Sequence, residues 1–337
     1  MKILVISTQI FPSPPPTYGG LELVTYNLAE CFGMMGHDVY LLAPDGSKGE
    51  HFKVITPCKP ALYNPEEIAY ESIKPALRDF DVISDHSWVG HVYLAKKEWP
   101  KLQVQHTMHG PLPFTTKPVE KPCLVAASQA HATYLKKAAD FDCQVIRHGI
   151  DVSRHPYGQE QREDFLLYLA RIAEEKGALE FIDLCRKTGM KGIMAGEDTF
   201  ISSPGYVRKV VTECEKAGIR YLGPIGHDYK VELLQRARCL VSPLLPPYIE
   251  VFGLATLEAM ACGTPVLSTD RGAAKELIVH GVTGAVARDV DCLEENLQVA
   301  LNCKPEDCRA RAEEFPREKM AKGYLELFQR MIDGYSW

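Results

Sequence analysis

Glu250 and Glu258 stand eight positions apart in the run E-V-F-G-L-A-T-L-E, and they frame the stretch of the chain best suited to chemistry. Glu250 falls in a loop after the apolar run LVSPLL, and Glu258 on a small-residue helix, LATLEAMACG. Phe252, Gly253 and Leu254 lie between them, where that helix should begin. The first turn of a helix carries unpaired N–H groups and a partial positive charge, a seat for phosphate. The stretch thus offers a carboxylate, an anion seat and a second carboxylate in succession. Eight helical residues span about 12 Å, the length of a sugar, a diphosphate and a ribose in line. The competing reading is two solvated glutamates; the apolar neighbours Leu257, Ala259 and Met260 argue against it for Glu258.

Two cations follow the same logic. Arg171 ends an apolar strand and Lys176 precedes the next helix, so both fall at the C-terminal edge of a parallel sheet, where ligands bind. A guanidinium fork and an ammonium together could neutralise a diphosphate. Pairing with Glu174 and Glu175 is the alternative. Gly19 and Gly20 sit between the first strand and the first helix, where the absence of Cβ lets backbone N–H groups approach an anion. They do not form the G-x-G-x-x-G of a dinucleotide site. His109 marks the exit of another strand and could hold a substrate hydroxyl. His106, and Asp85 with His86, are fainter candidates. Asp140-Phe141-Asp142 has the letters of a metal motif but falls in a turn between a helix and a strand, so no metal is expected.

The elements that must position these residues alternate from end to end. KILVIST, HDVYLLAP, DVIS, LQVQHT, LVAAS and QVI read as strands, with helices near 21–35, 65–80, 88–98 and 129–139. The pattern restarts at Asp164 with DFLLYLA, KGIMAG, IRYLG, CLVSPLL and TPVLST, and helices near 178–188, 206–217, 229–238, 254–262 and 273–280. The polar stretch from Asp151 to Glu163 reads as a linker and, with Pro316, as a hinge. The tail from Pro305 to Trp337 reads as helical. Alternating strands and helices predict two parallel sheets covered on both faces, meeting at a cleft.

A chain of 337 residues suits two domains. A formal net charge of −6 excludes nucleic acid as a whole-surface partner. The 11 cysteines include no C-x-x-C, so zinc ribbons are excluded and free thiols in a reducing cytoplasm are expected. MKILVIST is too short for a signal peptide. No apolar run reaches the roughly 18 residues of a membrane span, so no transmembrane segment is expected.

Taken in order, Y-G-G-x-E at Tyr18–Glu22, H-G at His109–Gly110, H-G-I-D at His148–Asp151, R-x4-K-G at Arg171–Gly177 and E-x7-E at Glu250–Glu258 resemble glycosyltransferase family 4. The likeness covers nearly the whole chain, and the E-x7-E with its internal F-G-L is its most specific part. The resemblance implies an α/β GT-B fold: two tandem Rossmann-like domains facing a central cleft, with the C-terminal helix crossing back to the first. Residues 1–155, completed by 318–337, would form the acceptor side, and 160–316 the donor side. The implied activity is transfer of a hexose from a nucleotide-diphosphate sugar, UDP- or GDP-linked, to an unidentified acceptor, with retention and without a metal or other cofactor. Arg171, Lys176, Gly19, Gly20, Phe252, Gly253 and Leu254 would hold the diphosphate, Glu258 the ribose and Glu250 the hexose. His109 would lie near the reacting sugar, and Gly196 and Gly223 would flank the base. A sugar-nucleotide epimerase and a non-catalytic sugar-nucleotide-binding protein are the rival readings.

Overall fold

The computed structural model describes residues 1–57, 64–110, 118–158, 162–199 and 202–337. Its strands are β1 (Lys2–Ile6), β2 (Asp38–Leu42), β3 (Lys53–Ile55), β4 (Val82–Asp85), β5 (Val104–Met108), β6 (Leu124–Ala126), β7 (Cys143–Val145), β8 (Phe165–Leu169), β9 (Lys191–Ala195), β10 (Arg220–Tyr221), β11 (Cys239–Ser242), β12 (Val266–Thr269) and β13 (Gly284–Ala287). Its helices are α1 (Gly20–Met34), α2 (Pro65–Ile73), α3 (Val92–Glu98), α4 (Gln129–Ala139), α5 (Ala178–Thr188), α6 (Pro204–Ala217), α7 (His227–Arg236), α8 (Leu254–Ala261), α9 (Ala274–Leu277), α10 (Leu293–Leu301), α11 (Pro305–Ala312) and α12 (Arg317–Ile332). They form two units, one of Met1–Gly149 with Arg317–Trp337, the other of Ile150–Pro316.

The first unit is built on a parallel sheet of order β3-β2-β1-β4-β5-β6-β7. Ile3, Leu4 and Val5 are wholly buried, as a strand with helices on both faces requires. The strand order reverses between β1 and β4, which makes their C-terminal ends the switch point where ligands collect. α12 completes this unit. Phe328 lies edge-on to Phe32 of α1 at 5.6 Å, and the Tyr324 hydroxyl is 2.8 Å from Thr107 Oγ1 of β5. The last residue also contributes, its indole donating to the Leu124 carbonyl at 2.8 Å.

The second unit has a parallel sheet of order β10-β9-β8-β11-β12-β13, with its switch point between β8 and β11. Helix ends follow local chemistry. In the first unit Ser128 caps α4 by accepting the His131 N–H, and Asp140 ends it in the left-handed region. In the second, Gly189 closes α5 in the same conformation.

Three elements were not expected from the sequence: β3, β13 and α10. The helix expected over 273–280 shrinks to the four residues of α9. The expected linker is also corrected. Its described part folds into the second unit, with His155 buried, Tyr157 bonded to Glu306 at 3.0 Å and the Gly158 N–H donating to Cys262. Arg162 donates to the carbonyls of Leu234, Gln235, Ala237 and Cys262 and to Thr264 Oγ1. A guanidinium so engaged is an anchor, not a hinge. Among the described residues no helix is long and apolar enough to cross a membrane. Ten cysteines are free thiols, and Cys58 lies outside the described residues.

Candidate active site

In the second unit, β8 delivers Arg171 two residues past its end, and a single 3-10 turn, Glu174–Lys176, delivers Lys176 to the start of α5. Arg171 takes the neighbour weighed against ligand use: its Nη2 lies 2.6 Å from Glu175 Oε1. Lys176 does not. Its Nζ reaches across the sheet edge to Glu250 Oε2 at 2.8 Å and the Tyr248 hydroxyl at 2.7 Å, and lies 4.1 Å from the centre of the Tyr248 ring. Burial works against the ammonium, but the Glu250 carboxylate and Tyr248 outweigh it and hold its pKa above the ordinary lysine range. Lys176 is therefore a fixed cation.

The loop bearing Glu250 is held by its backbone. The Glu250 carbonyl accepts from Ala273 N–H at 2.9 Å, and Gly272, at φ +58°, packs so closely that a Cβ there would fall 2.0 Å from that oxygen. Phe252 is buried, edge-on to Phe315 at 6.1 Å, so its side chain anchors the loop. Gly253 adopts φ +97° as it opens α8, a conformation that favours glycine, and the Cγ of Glu250 lies 3.5 Å from where its Cβ would stand. Gly253, Leu254 and Ala255 are the half-exposed start of a helix otherwise buried to Ala261, so its free N–H groups are its accessible part. Lys176, Glu250 and the start of α8 thus converge.

Glu258 lies one turn further on, buried. Its Oε1 takes the Lys230 ammonium of α7 at 2.6 Å and stands 3.6 Å from His155 Nε2, a contact too long for a hydrogen bond. Burial raises its pKa, yet Lys230 first and His155 after it overcome this and hold the carboxyl well below its ordinary range. His155 is itself placed by Arg309, which donates to its carbonyl at 2.6 Å. Lys230 and His155 were missed by sequence reasoning. The only signal was a lysine at the first turn of an amphipathic helix. Gly196 and Gly223 lie together, joined N–H to carbonyl at 2.9 Å. Asp198, not singled out from the sequence, lies beside Gly223 and accepts from the Tyr221 hydroxyl at 2.6 Å.

In the first unit, Gly19 is buried at φ +146° and Gly20 is the exposed first residue of α1. A Cβ on Gly19 would meet Pro15 at 2.7 Å and Glu22 Oε2 at 2.8 Å. Glu22 is buried and bonded to Thr8, and burial raises its pKa. His109 leaves β5 with its Nε2 2.9 Å from Nδ1 of His86, and its ring stacks on His148 at 5.2 Å. Burial, and then neighbouring histidines, push His86 and His109 well below the ordinary range, and His148 down to about 3. His106 is instead bonded to Asp85 at 2.8 Å inside the sheet. Asp140 and Asp142 share Lys136, at 2.7 and 2.9 Å, in a turn. Among the described residues no group of three His, Cys, Asp or Glu side chains is arranged to hold a metal.

Comparison with known proteins converges on one family. Residues 18–154 match the family model Glycosyltransferase Family 4, and residues 150–315 match Glycosyl transferases group 1. The glycogen synthase of Mycobacterium tuberculosis is 27% identical over 370 residues, covering 90% of this chain and 86% of that protein. A D-inositol 3-phosphate glycosyltransferase of Frankia alni is 26% identical over 65% of this chain and 66% of its own length. Among solved structures, AviGT4, a glycosyltransferase involved in avilamycin A biosynthesis, superimposes with a TM-score of 0.79 and 25% identity, covering 100% of this chain and 99% of that one. Anabaena Alr3699/HepE, solved in complex with UDP-glucose, gives 0.77 with 18% identity over 98% of this chain and 100% of its own. Matched family models over both units, on two Rossmann-like parallel sheets, identify the chain as a glycosyltransferase belonging to glycosyltransferase family 4, with the GT-B fold.

Proposed function

We propose that this glycosyltransferase moves a hexose from a nucleotide-diphosphate sugar to an acceptor hydroxyl with retention of configuration and without a metal ion. The observation that carries this reading is the convergence of Lys176, Glu250 and the free N–H groups of α8. Departure of a nucleoside diphosphate leaves charge on the β-phosphate oxygen. Fixed donors aimed at that charge, in a site with little water, lower the barrier without rearranging. Lys176, Arg171 and the amides of Gly253 and Leu254 fill that role, with Gly19 and Gly20 adding backbone donors. Glu250 then accepts from the hexose hydroxyls, and Glu258 from the ribose. Gly196 and Gly223 border the base, and His109 meets the reacting sugar. UDP-glucose bound in HepE supports a nucleotide-sugar donor.

Retention follows in this reading from departure and attack on the same face of the sugar. The phosphate takes the acceptor proton, because Glu250 is assigned to the ring hydroxyls and the sequence supplies no obvious second carboxylate to act as nucleophile. The second unit carries the donor and the first the acceptor. A thermal-shift panel of UDP-, GDP- and ADP-sugars identifies the donor by the rise in melting temperature, and NMR of the product gives its anomeric configuration. An inverted product would overturn the mechanism, and no shift with any nucleotide sugar would overturn the donor class.

A further inference from the structure

His109 is the last member of a hydrogen-bonded chain buried at the ends of β4 and β5. The Ser84 hydroxyl donates to Gln105 Oε1 at 2.9 Å and lies 3.0 Å from His86 Nε2. Gln105 turns its amide nitrogen the other way, donating to Thr107 Oγ1 at 2.9 Å, and Thr107 in turn meets Tyr324 of α12. His86 Nδ1 and His109 Nε2 are 2.9 Å apart. Two ring nitrogens at that distance bond only when one carries the proton and the other does not.

We propose that Ser84 and His86 are positioning residues that fix the tautomer of His109. Each bond dictates the next. A serine whose proton is committed to Gln105 can only accept from His86, so His86 carries its proton on Nε2. Its Nδ1 is then a bare acceptor, and His109 must donate Nε2–H to it. The remaining nitrogen of His109, Nδ1, is left without a proton. It has no hydrogen-bond partner among the described residues, and His109 as a residue is only half-buried. Burial disfavours the charged form of both rings, so the chain holds with two neutral imidazoles. His109 can therefore accept a hydrogen bond from a substrate hydroxyl; it has no free N–H to offer a leaving phosphate. The substrate half of this statement rests on the proposed function, whereas the tautomer does not.

The two are separable by experiment. In the 15N-histidine-labelled protein, with His109 assigned by its loss in His109→Gln, long-range 1H–15N correlation should show Nε2 protonated and Nδ1 not. Ser84→Ala removes the acceptor of His86 Nε2–H, and His86→Leu removes the acceptor of His109. Both should move His109 toward the Nδ1–H form. His86→Asn, whose Oδ1 stands in for Nδ1, should keep the native pattern. A wild-type His109 protonated on Nδ1, or a pattern unmoved in both Ser84→Ala and His86→Leu, would overturn the proposal, and retained folding is read from the same spectra. Turnover tests the functional reading on its own. In the switched variants kcat should fall about tenfold, the worth of one misdirected hydrogen bond, at little cost in donor KM. His86→Asn should recover most of that loss. Undiminished kcat in a variant whose tautomer has switched would remove His109 from the reaction while the relay stands.

Discussion

Lys176 and Glu250 are bonded to each other in the free protein, Nζ to Oε2 at 2.8 Å, although 74 positions separate them. The groups assigned to the diphosphate and the hexose thus hold one another in place until the donor arrives. Donor binding would hand the ammonium to phosphate and free the carboxylate for sugar hydroxyls. Lys176→Ala should lower kcat/KM by roughly 10²- to 10³-fold, the cost of one donor aimed at developing charge. Glu250→Gln should act mainly on kcat. Because the two act as one unit, the double variant should lose less than the product of the single losses. Fully additive losses in steady-state kinetics would count against a shared role.

Glu258 and Lys230 form a buried pair with a different prediction. Lys230→Met strands a carboxylate and should cost about 3–5 kcal/mol in urea unfolding at pH 7. Lys230→Met with Glu258→Leu should recover much of it. Glu258→Gln should raise donor KM with little change in kcat, as expected for a group that binds ground and transition states alike. The depressed pKa of Glu258 means that its stabilising effect is present above pH ~4.5 and lost as pH falls toward the folded value.

Gly272 should matter for activity without touching substrate. A Cβ there would stand 2.0 Å from the Glu250 carbonyl oxygen, so Gly272→Ala must push the Glu250 loop away. A misplacement near 1 Å costs about 10²-fold when it moves a reacting group. A kinetic comparison with Gly281→Ala, where a Cβ meets nothing within 4 Å, isolates the effect.

Acid should unfold the first unit before the second. His86, His109, His131 and His148 all lie in the first unit, neutral by burial, with His131 pushed down to about 4 and His148 to about 3. Below pH ~6.5 the unfolded chain protonates them and the folded one does not, so each costs about 1.4 kcal/mol per pH unit until its folded value is reached. Glu22 and Glu66, whose pKa values burial raises, act in the opposite sense but are two against four. Trp88, Trp99 and Trp337 all belong to the first unit, so indole fluorescence reports it alone. Its acid transition should precede the loss of far-ultraviolet circular dichroism. Coincident transitions would refute this.

Turnover should survive EDTA undiminished, since Lys176, Arg171 and backbone amides are assigned the charge that a metal would carry. Restoration by Mn²⁺ or Mg²⁺ of activity lost to EDTA would transfer that role to a cation.

Much of the fold was legible because local signals coincided with tertiary ones. α4 and α5 run over the residues their periodicity predicts, each with a stop residue in the left-handed region. β3 and β13 escaped because one exposed and two half-buried residues, and G-A-V-A, carry no alternation to read. The linker reading failed at His155 and Arg162, whose polarity suggests solvent but whose atoms are taken up by the second unit. Glu250 and Lys176 were each legible as chemistry, yet their pairing was not, because only the packing of the sheet edge joins them. Lys230 shows the same limit more strongly. Nothing in its spacing points to Glu258, which it meets only because α7 lies against α8.

The return of α12 has a consequence for biosynthesis. The first unit draws its closing helix from Arg317–Trp337, which the ribosome makes only after every residue of the second unit. β5 waits for Tyr324, α1 for Phe328 and β6 for Trp337. The half of the molecule that is translated first is thus the half that matures last, exposing its unfinished apolar face to the cell in the meantime.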